Sequence, residues 1–148
     1  MPAASSLSPY IAVKDAVAAI DFYKAAFGAV ETFRLVDPGD GRIGHAEFVI
    51  GGTTMMISDE YPDFGALSPD SLGGSPVKFL IYVDDVDSAF AAALDLGATE
   101  LRPVADQFFG DRQGMLLDPF GHSWSLATRK EEVSAAEMQA RWNDAMAG

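Results

Sequence analysis

Hydrophobic and polar positions run along this chain in two successive blocks with the same order. Tyr10-Ile11-Ala12-Val13-Lys14-Asp15 and Leu80-Ile81-Tyr82-Val83-Asp84-Asp85 are short apolar runs that both end in Val-x-Asp. An alanine-rich helical stretch follows each, Ala16 to Phe27 and Val86 to Leu96, and each closes on Gly-Ala, at Gly28-Ala29 and Gly97-Ala98. Asp15 and Asp85 stand where a helix N-cap accepts backbone N–H bonds. Gly28 and Gly97 stand where a C-cap favours a left-handed residue. Three strand-like runs come next in each block: Val30–Val36, Gly44–Ile50 and Thr53–Ser58, then Glu100–Pro103, Gly114–Leu117 and Ser123–Thr128. Pro38-Gly39-Asp40-Gly41, Gly51-Gly52 and Asp118-Pro119-Phe120-Gly121 supply turn signals between them. The pattern predicts an α+β chain with an internal βαβββ repeat.

Residues 61–76, rich in Pro, Gly, Ser and Asp, read as the linker between module one (about 7–60) and module two (about 77–128) of a single domain spanning 1–148. Ser134-Ala135-Ala136-Glu137 is a capping box that opens a C-terminal helix over about 134–146. Met138, Trp142 and Ala145 share one face of that helix, a stripe for packing on the body or on a second subunit.

Composition narrows the function classes. With 49% hydrophobic residues the chain can fill a core, so disorder is not expected. No apolar run approaches the roughly 18 residues of a membrane helix. The N-terminal residues lack the basic and apolar regions of a signal peptide, so the cytoplasm is the default compartment. With no cysteine there is no disulfide, thiolate metal site or cysteine nucleophile. A net charge of −12, with only Arg129-Lys130 adjacent among the cations, argues against nucleic acid or an anionic membrane as partner. No Gly-x-Ser-x-Gly elbow is present, and Gly51-Gly52 and Gly73-Gly74 lack the spacing of a phosphate loop.

The repeat and several local phrases resemble the vicinal oxygen chelate superfamily, which includes glyoxalase I, bleomycin-resistance proteins and extradiol dioxygenases. Ala19-Ile20-Asp21-Phe22-Tyr23 and Ala26-Phe27-Gly28-Ala29 look like its first helix. Gly41-Arg42-Ile43-Gly44-His45-Ala46-Glu47, Asp106-Gln107-Phe108-Phe109-Gly110-Asp111-Arg112-Gln113-Gly114 and Asp118-Pro119-Phe120-Gly121-His122 look like the PhnB-like branch. The resemblance covers about residues 8 to 128. It implies paired modules whose eight strands form an incomplete barrel, commonly in a homodimer, around a concave small-molecule pocket.

Metal-dependent members of that superfamily place His, Gln or Glu ligands on the first and last strand of each module. Those positions fall here at Ser8, Met56, Lys78 and Ser125. None matches the nitrogen and oxygen donors a divalent ion takes, and a Lys78 ammonium repels a cation. The expectation is therefore no metal and no cofactor.

Strand alternation puts Ala46, Phe48 and Ile50 under the helices and His45, Glu47 and Val49 on the concave side. The offset between Gly52 and Gly121 carries Arg112 to the same side as His45. Met56, Lys78 and Ser125 join by the superfamily pattern, with Phe108 and Phe109 in a Gly-flanked loop beside them. His45 and Glu47 at i and i+2 suit an acid–base pair, two metal ligands or a structural hydrogen bond. Arg112 suits a carboxylate or phosphate clamp, or ties down its own loop through Asp106 or Asp111. Lys78 suits a ligand's charge or a pair with Glu47. His122, after a tight turn, reads as a turn-stabilising hydrogen bonder, and Trp124 as helix-facing core. The leading expectation is a metal-independent small-molecule binding protein, with Met56, Lys78, Phe108, Phe109, Arg112 and Ser125 lining the site. The alternatives are a lyase or isomerase that transfers a proton through His45 and Glu47, with Arg112 or Lys78 stabilising an oxyanion, and a protein-interaction module that uses the C-terminal helix.

Overall fold

The computed structural model describes residues 5–148. The first four residues, part of the segment read above for signal-peptide features, lie outside the described residues. The chain forms β1 (Tyr10–Val13), α1 (Ala16–Phe27), β2 (Val30–Val36), β3 (Ile43–Ile50), β4 (Thr53–Asp59), a 3-10 turn (Pro62–Phe64), α2 (Pro69–Leu72), β5 (Lys78–Tyr82), α3 (Val86–Asp95), β6 (Thr99–Asp106), β7 (Asp111–Leu117), β8 (Ser123–Arg129) and α4 (Ala135–Ala147). The strands make two four-stranded mixed sheets, ordered β1-β4-β3-β2 and β5-β8-β7-β6. In each, the first strand pairs parallel with the fourth and the rest are antiparallel. No helix is long and apolar enough to cross a membrane among the described residues.

The chain divides into two compact units. The first runs to Pro76 and includes the turn Pro119–His122; the second holds Val77–Asp118 and Ser123–Gly148.

In the first unit Asp15 caps α1 by accepting from the Ala18 N–H at 3.1 Å, and Gly28 ends the helix with φ of 70°. One face of α1, Ala16, Ala19, Ile20 and Tyr23, is fully buried against Val13, Ile43, Ala46, Phe48 and Ile57 of the sheet. Tyr23 stacks on Phe48 with centroids 5.5 Å apart, an arrangement that adds about 1 kcal/mol to the area it buries. Asp59, at the end of β4, is buried and accepts the N–H groups of Ala16 at 2.8 Å and Ile43 at 2.6 Å, which locks the helix start to two strands. The stretch read as a linker folds back into this unit. Ser68 is fully buried and caps α2, and Pro69 sits so close to Gly121 that a Cβ there would meet it at 2.9 Å. Phe120 of the same turn packs on Phe22 and Tyr23.

The second unit repeats the plan. Asp85 caps α3 through the Ser88 N–H, and Val86, Phe90 and Ala93 bury against Leu116, Trp124 and Leu126. Thr128 takes the place of Asp59: its hydroxyl accepts the Val86 N–H at 3.0 Å and donates to the Val83 carbonyl at 2.8 Å. Trp124 is core, as its alternation predicts, with its indole N–H on the buried Asp118 at 2.9 Å. Strands β6 and β7 reach beyond the predicted Glu100–Pro103 and Gly114–Leu117 at both ends or at the start. The extensions include the polar residues Asp106, Asp111, Arg112 and Gln113, whose side chains give no apolar signal and whose backbone the ladder pairs.

Candidate functional site

The first sheet has a helix-covered face and an open one. Direct strand partners share a face, so the register places Tyr10 beside Met56, Met56 beside Glu47, and Glu47 beside Phe33. Leu35 lies beside His45, and Ala12 beside Ser58. The open face thus carries a polar pair, His45 and Glu47, within an aromatic and aliphatic surround.

These polar groups are joined. The Tyr10 hydroxyl lies 2.7 Å from His45 Nδ1, and His45 Nε2 lies 2.8 Å from Glu47 Oε2. In the neutral tautomer with its proton on Nε2, His45 donates to the Glu47 carboxylate, presents its Nδ1 lone pair and accepts from the Tyr10 hydroxyl. The rings of Tyr10 and Phe33 flank the imidazole at 5.2 and 5.8 Å. His45 and Glu47 side chains are 24% and 23% exposed, shielded enough to strengthen the bond yet still reachable.

Beside this chain of hydrogen bonds the unit holds a cup of about 450 Å³, lined by Tyr10, Leu35, Val36, Asp37, Gly44, Ser58, Tyr61, Phe64 and Ala66. Tyr10 belongs to both features. Leu35 and Val36, at the end of the edge strand β2, are 59% and 53% exposed and offer open aliphatic surface. Asp37 supplies the cup's one charge; it accepts from Gly39 N–H at 2.9 Å and from the Tyr61 hydroxyl at 3.3 Å. The Arg42 guanidinium lies 3.9 Å over the Tyr61 ring, pairs with Asp40 and donates to the Glu60 carbonyl, so it holds the Tyr61 wall in place. Burial raises the Tyr61 hydroxyl's pKa above the usual tyrosine range, Arg42 opposes that rise, and the hydroxyl stays a donor.

The second sheet's open face differs. Leu80 lies beside Ser125, and Ser125 beside Met115. Leu80, Gln113 and Met115 therefore occupy the places that Tyr10, His45 and Glu47 hold in the first sheet. Lys78 stands opposite Ser123 at the exposed start of β5. Ser125 is buried, 5% exposed. The Gln113 side-chain oxygen is buried with no hydrogen-bond partner.

Arg112 does not share the open face. It pairs with Thr128, on the helix side of its sheet, and its guanidinium binds Asp87 at the start of α3 in a fork of 2.9 and 3.0 Å and Asp106 at 3.1 Å. These carboxylates, Asp87 first, push the guanidinium's pKa further up, and Arg112 lowers that of Asp87 in return. The expected placement fails because the offset from Gly52 to Gly121 does not extend past the turn. Glu47 and Met56 are nine residues apart, while their counterparts Met115 and Ser125 are ten apart. One extra residue in the turn moves every upstream side chain to the other face. The same slip explains why Gly114 faces inward: a Cβ there would meet Phe90 at 2.9 Å and Val104 at 2.8 Å.

Phe108 and Phe109 lie edge to face at 5.2 Å, and Phe108 packs on Trp142 of α4 at 5.7 Å. Arg141 fastens that helix by donating to the Phe108 carbonyl and to Glu131. The two phenylalanines thus support α4 in the second unit. None of the α4 residues is buried. His122 is buried at the turn, with Nε2 3.3 Å from the Ala12 carbonyl.

At the superfamily's metal positions the donor chemistry does not fit a divalent ion. Met56 brings a thioether next to Glu47, Lys78 an ammonium, and Ser8 and Ser125 neutral hydroxyls. No three His, Asp or Glu side chains converge among the described residues.

The model for the glyoxalase/bleomycin resistance protein/dioxygenase superfamily matches residues 6–126. The chain belongs to that superfamily. The Mycobacterium tuberculosis protein Rv0887c is 46% identical over 138 residues, covering 91% of this chain and 81% of that protein. The Arabidopsis thaliana protein At5g48480 is 30% identical over 124 residues, 78% of this chain and 73% of that one. The X-ray structure of the At5g48480 gene product superposes with a TM-score of 0.68 at 27% identity, over 84% of this chain and 99% of that one. TioX from Micromonospora sp. ML1 gives 0.64 at 26% identity, over 85% and 99%. The superfamily hosts several chemistries on this fold, so the site residues, and not the fold, must carry the functional reading.

Of the residues singled out from the sequence, His45, Glu47 and Met56 lie on this open face; Tyr10, Leu35, Asp37, Ser58 and Tyr61, which line the cup, were not among them. Tyr10 sits in an apolar run where a half-exposed tyrosine looks like any strand residue. Tyr61 and Phe64 lie in the stretch read as linker. A signal was present there: two aromatics close together in a Pro- and Gly-rich segment mark it as more than a connector.

Proposed function

We propose that this protein binds a small, largely apolar organic molecule in the cup of its first unit, without a metal. The observation that carries the reading is the cup itself: about 450 Å³ bounded by Tyr10, Leu35, Val36, Tyr61 and Phe64, with Asp37 and Ser58 as orienting polar groups. Apolar walls with a few placed polar atoms are the usual build of a small-molecule site. Metal independence is supported by the thioether and ammonium at the superfamily's metal positions. The phrases around His45, Arg112 and Asp118 support placement in the PhnB-like branch, and the exposed Val30, Leu80 and Leu101 on the sheets support a homodimer. The test is a thermal-shift and calorimetry screen of uncharged aromatic compounds, metal-free, on the wild type and on Leu35→Glu. Hits that Leu35→Glu loses by tenfold or more support the cup. Hits that bind both proteins equally place the ligand elsewhere.

A second reading, a lyase or isomerase acting by proton transfer, is favoured by one observation, the 2.8 Å bond between His45 and Glu47 on the same open face. Glu47→Gln should then stop turnover of the bound compound and leave the melting temperature within a few degrees. Retained turnover excludes it.

A further inference from the structure

We propose that Tyr10 is the ligand-facing end of a three-residue proton relay, and that the cup takes a neutral carbon acid or enol. This inference rests on the cup being the binding site. Three observations meet at Tyr10. It lines the cup, its hydroxyl lies 2.7 Å from His45 Nδ1, and it remains 55% exposed, so one side chain stands both at the cup and at the head of the relay. His45 and Glu47 are not among the residues that line the cup, so Tyr10 is the member of the relay that a ligand seated there meets first. They are positioning and relay residues; Tyr10 is the catalytic one.

The step balances without a co-reactant. A ligand C–H or enol O–H proton passes to Tyr10 Oη while the Tyr10 proton passes to His45 Nδ1. The ligand keeps the bonding pair as an enolate. The imidazolium so formed keeps its Nε2–H donated to the Glu47 carboxylate, which stabilises the new charge. Return of the proton through Tyr10 to the same or a neighbouring atom gives exchange or tautomerisation. His45 is partly exposed, so the relay's protons trade with solvent between the two transfers.

The ligand's charge follows from the cup's. Asp37 is the cup's only charged group and makes no ion pair among the described residues, and the chain carries −12 overall. A preformed anion is repelled by both. The substrate class is therefore a neutral carbonyl compound with an acidified C–H, carrying an aromatic or aliphatic group for the wall of Leu35, Val36, Tyr61 and Phe64.

The experiment uses 1-phenylbutane-1,3-dione as probe. Binding is measured by calorimetry, and deuterium uptake at the carbon between the carbonyls is followed in heavy water by NMR. Wild type should bind the probe and speed exchange over buffer by 100-fold or more, within the range a placed acid–base gives. Tyr10→Phe keeps the ring, removes one oxygen, and should lose at least 30-fold of kcat with Kd unchanged. His45→Gln and Glu47→Gln should lower kcat with KM held, His45→Gln more. Binding without exchange overturns the relay and leaves the cup reading standing. Exchange that survives Tyr10→Phe but not His45→Gln makes His45 the base and overturns the role of Tyr10. No binding of the probe overturns the substrate class proposed here, and the screen with Leu35→Glu then judges the cup separately.

Discussion

The two sheets of this chain share one plan and spend their polar residues differently. In the first, the open face holds Tyr10, His45 and Glu47 joined by hydrogen bonds of 2.7 and 2.8 Å. In the second, the matching places are Leu80, Gln113 and Met115, with no titratable group. The second unit's ionic groups serve its frame instead. Arg112 clamps Asp87 and Asp106, and Tyr82 and Arg129 close on the buried Asp111, the Tyr82 hydroxyl at 2.7 Å from its carboxylate. A duplicated scaffold can thus keep its caps and core in both copies while only one copy carries a hydrogen-bonded set of titratable side chains on its open face.

The sharpest way to break that comparison is at the small residues under the helices. Gly114 matches Ala46, and both lie where the sheet meets its helix. Gly114→Leu should destabilise by about 3 kcal/mol or more, since the side chain must displace Phe90 and Val104, read as a fall in the urea midpoint. If the midpoint holds, the packing described for the second unit is wrong.

Next in size are the side chains that satisfy the first N–H of α1 and α3. Asp59→Ala strands two buried N–H groups, Thr128→Ala one. Losses of about 2–4 and about 1–2 kcal/mol are expected by chemical denaturation, with Asp59 the larger. Equal losses would mean that the Ile43 bond contributes nothing.

Acid separates the halves more gently. The Arg34 guanidinium, at 2.6 Å, brings the Glu31 carboxyl down to about 2 from its ordinary 4.5; burial opposes this and Lys24 assists it. A depressed pKa means stability fully present above about 4.5 and lost as pH falls toward 2. Glu31→Gln should flatten the melting temperature over that window. An unchanged pH profile would remove Glu31 from the acid response.

The smallest effect tests the face assignment. Arg112→Ala should leave ligand affinity within twofold, because Arg112 lies on the helix side bound to Asp87. A tenfold loss would return Arg112 to the ligand.

Much of the frame was legible because its causes are local. Asp15, Gly28, Asp85 and Ser134 act on N–H or C=O groups within four residues, so α1 begins and ends where its sequence says, and α3 and α4 agree within a residue. The alternation in β3 sorts Ala46 and Phe48 from His45 and Glu47 without reference to any partner. His45 with Glu47 was visible for the same reason, since i and i+2 on a strand share a face.

What tertiary structure alone decided is which side chains from distant segments meet. Tyr10 and His45 are 35 residues apart, and only the order β1-β4-β3 brings the phenol to the imidazole. Tyr61 and Phe64 become a cup wall because the segment after β4 folds back onto its own unit. Arg112 was assigned to the wrong face because pairing register depends on a turn one residue longer than its counterpart, and a period of two turns one residue into an opposite side. The sequence by itself determined the helix N-caps, the helices, the repeat and the two faces of β3, through interactions within a turn or two. The site was decided by register and topology, because those depend on the free energy of the whole packed unit and leave no mark at any one position.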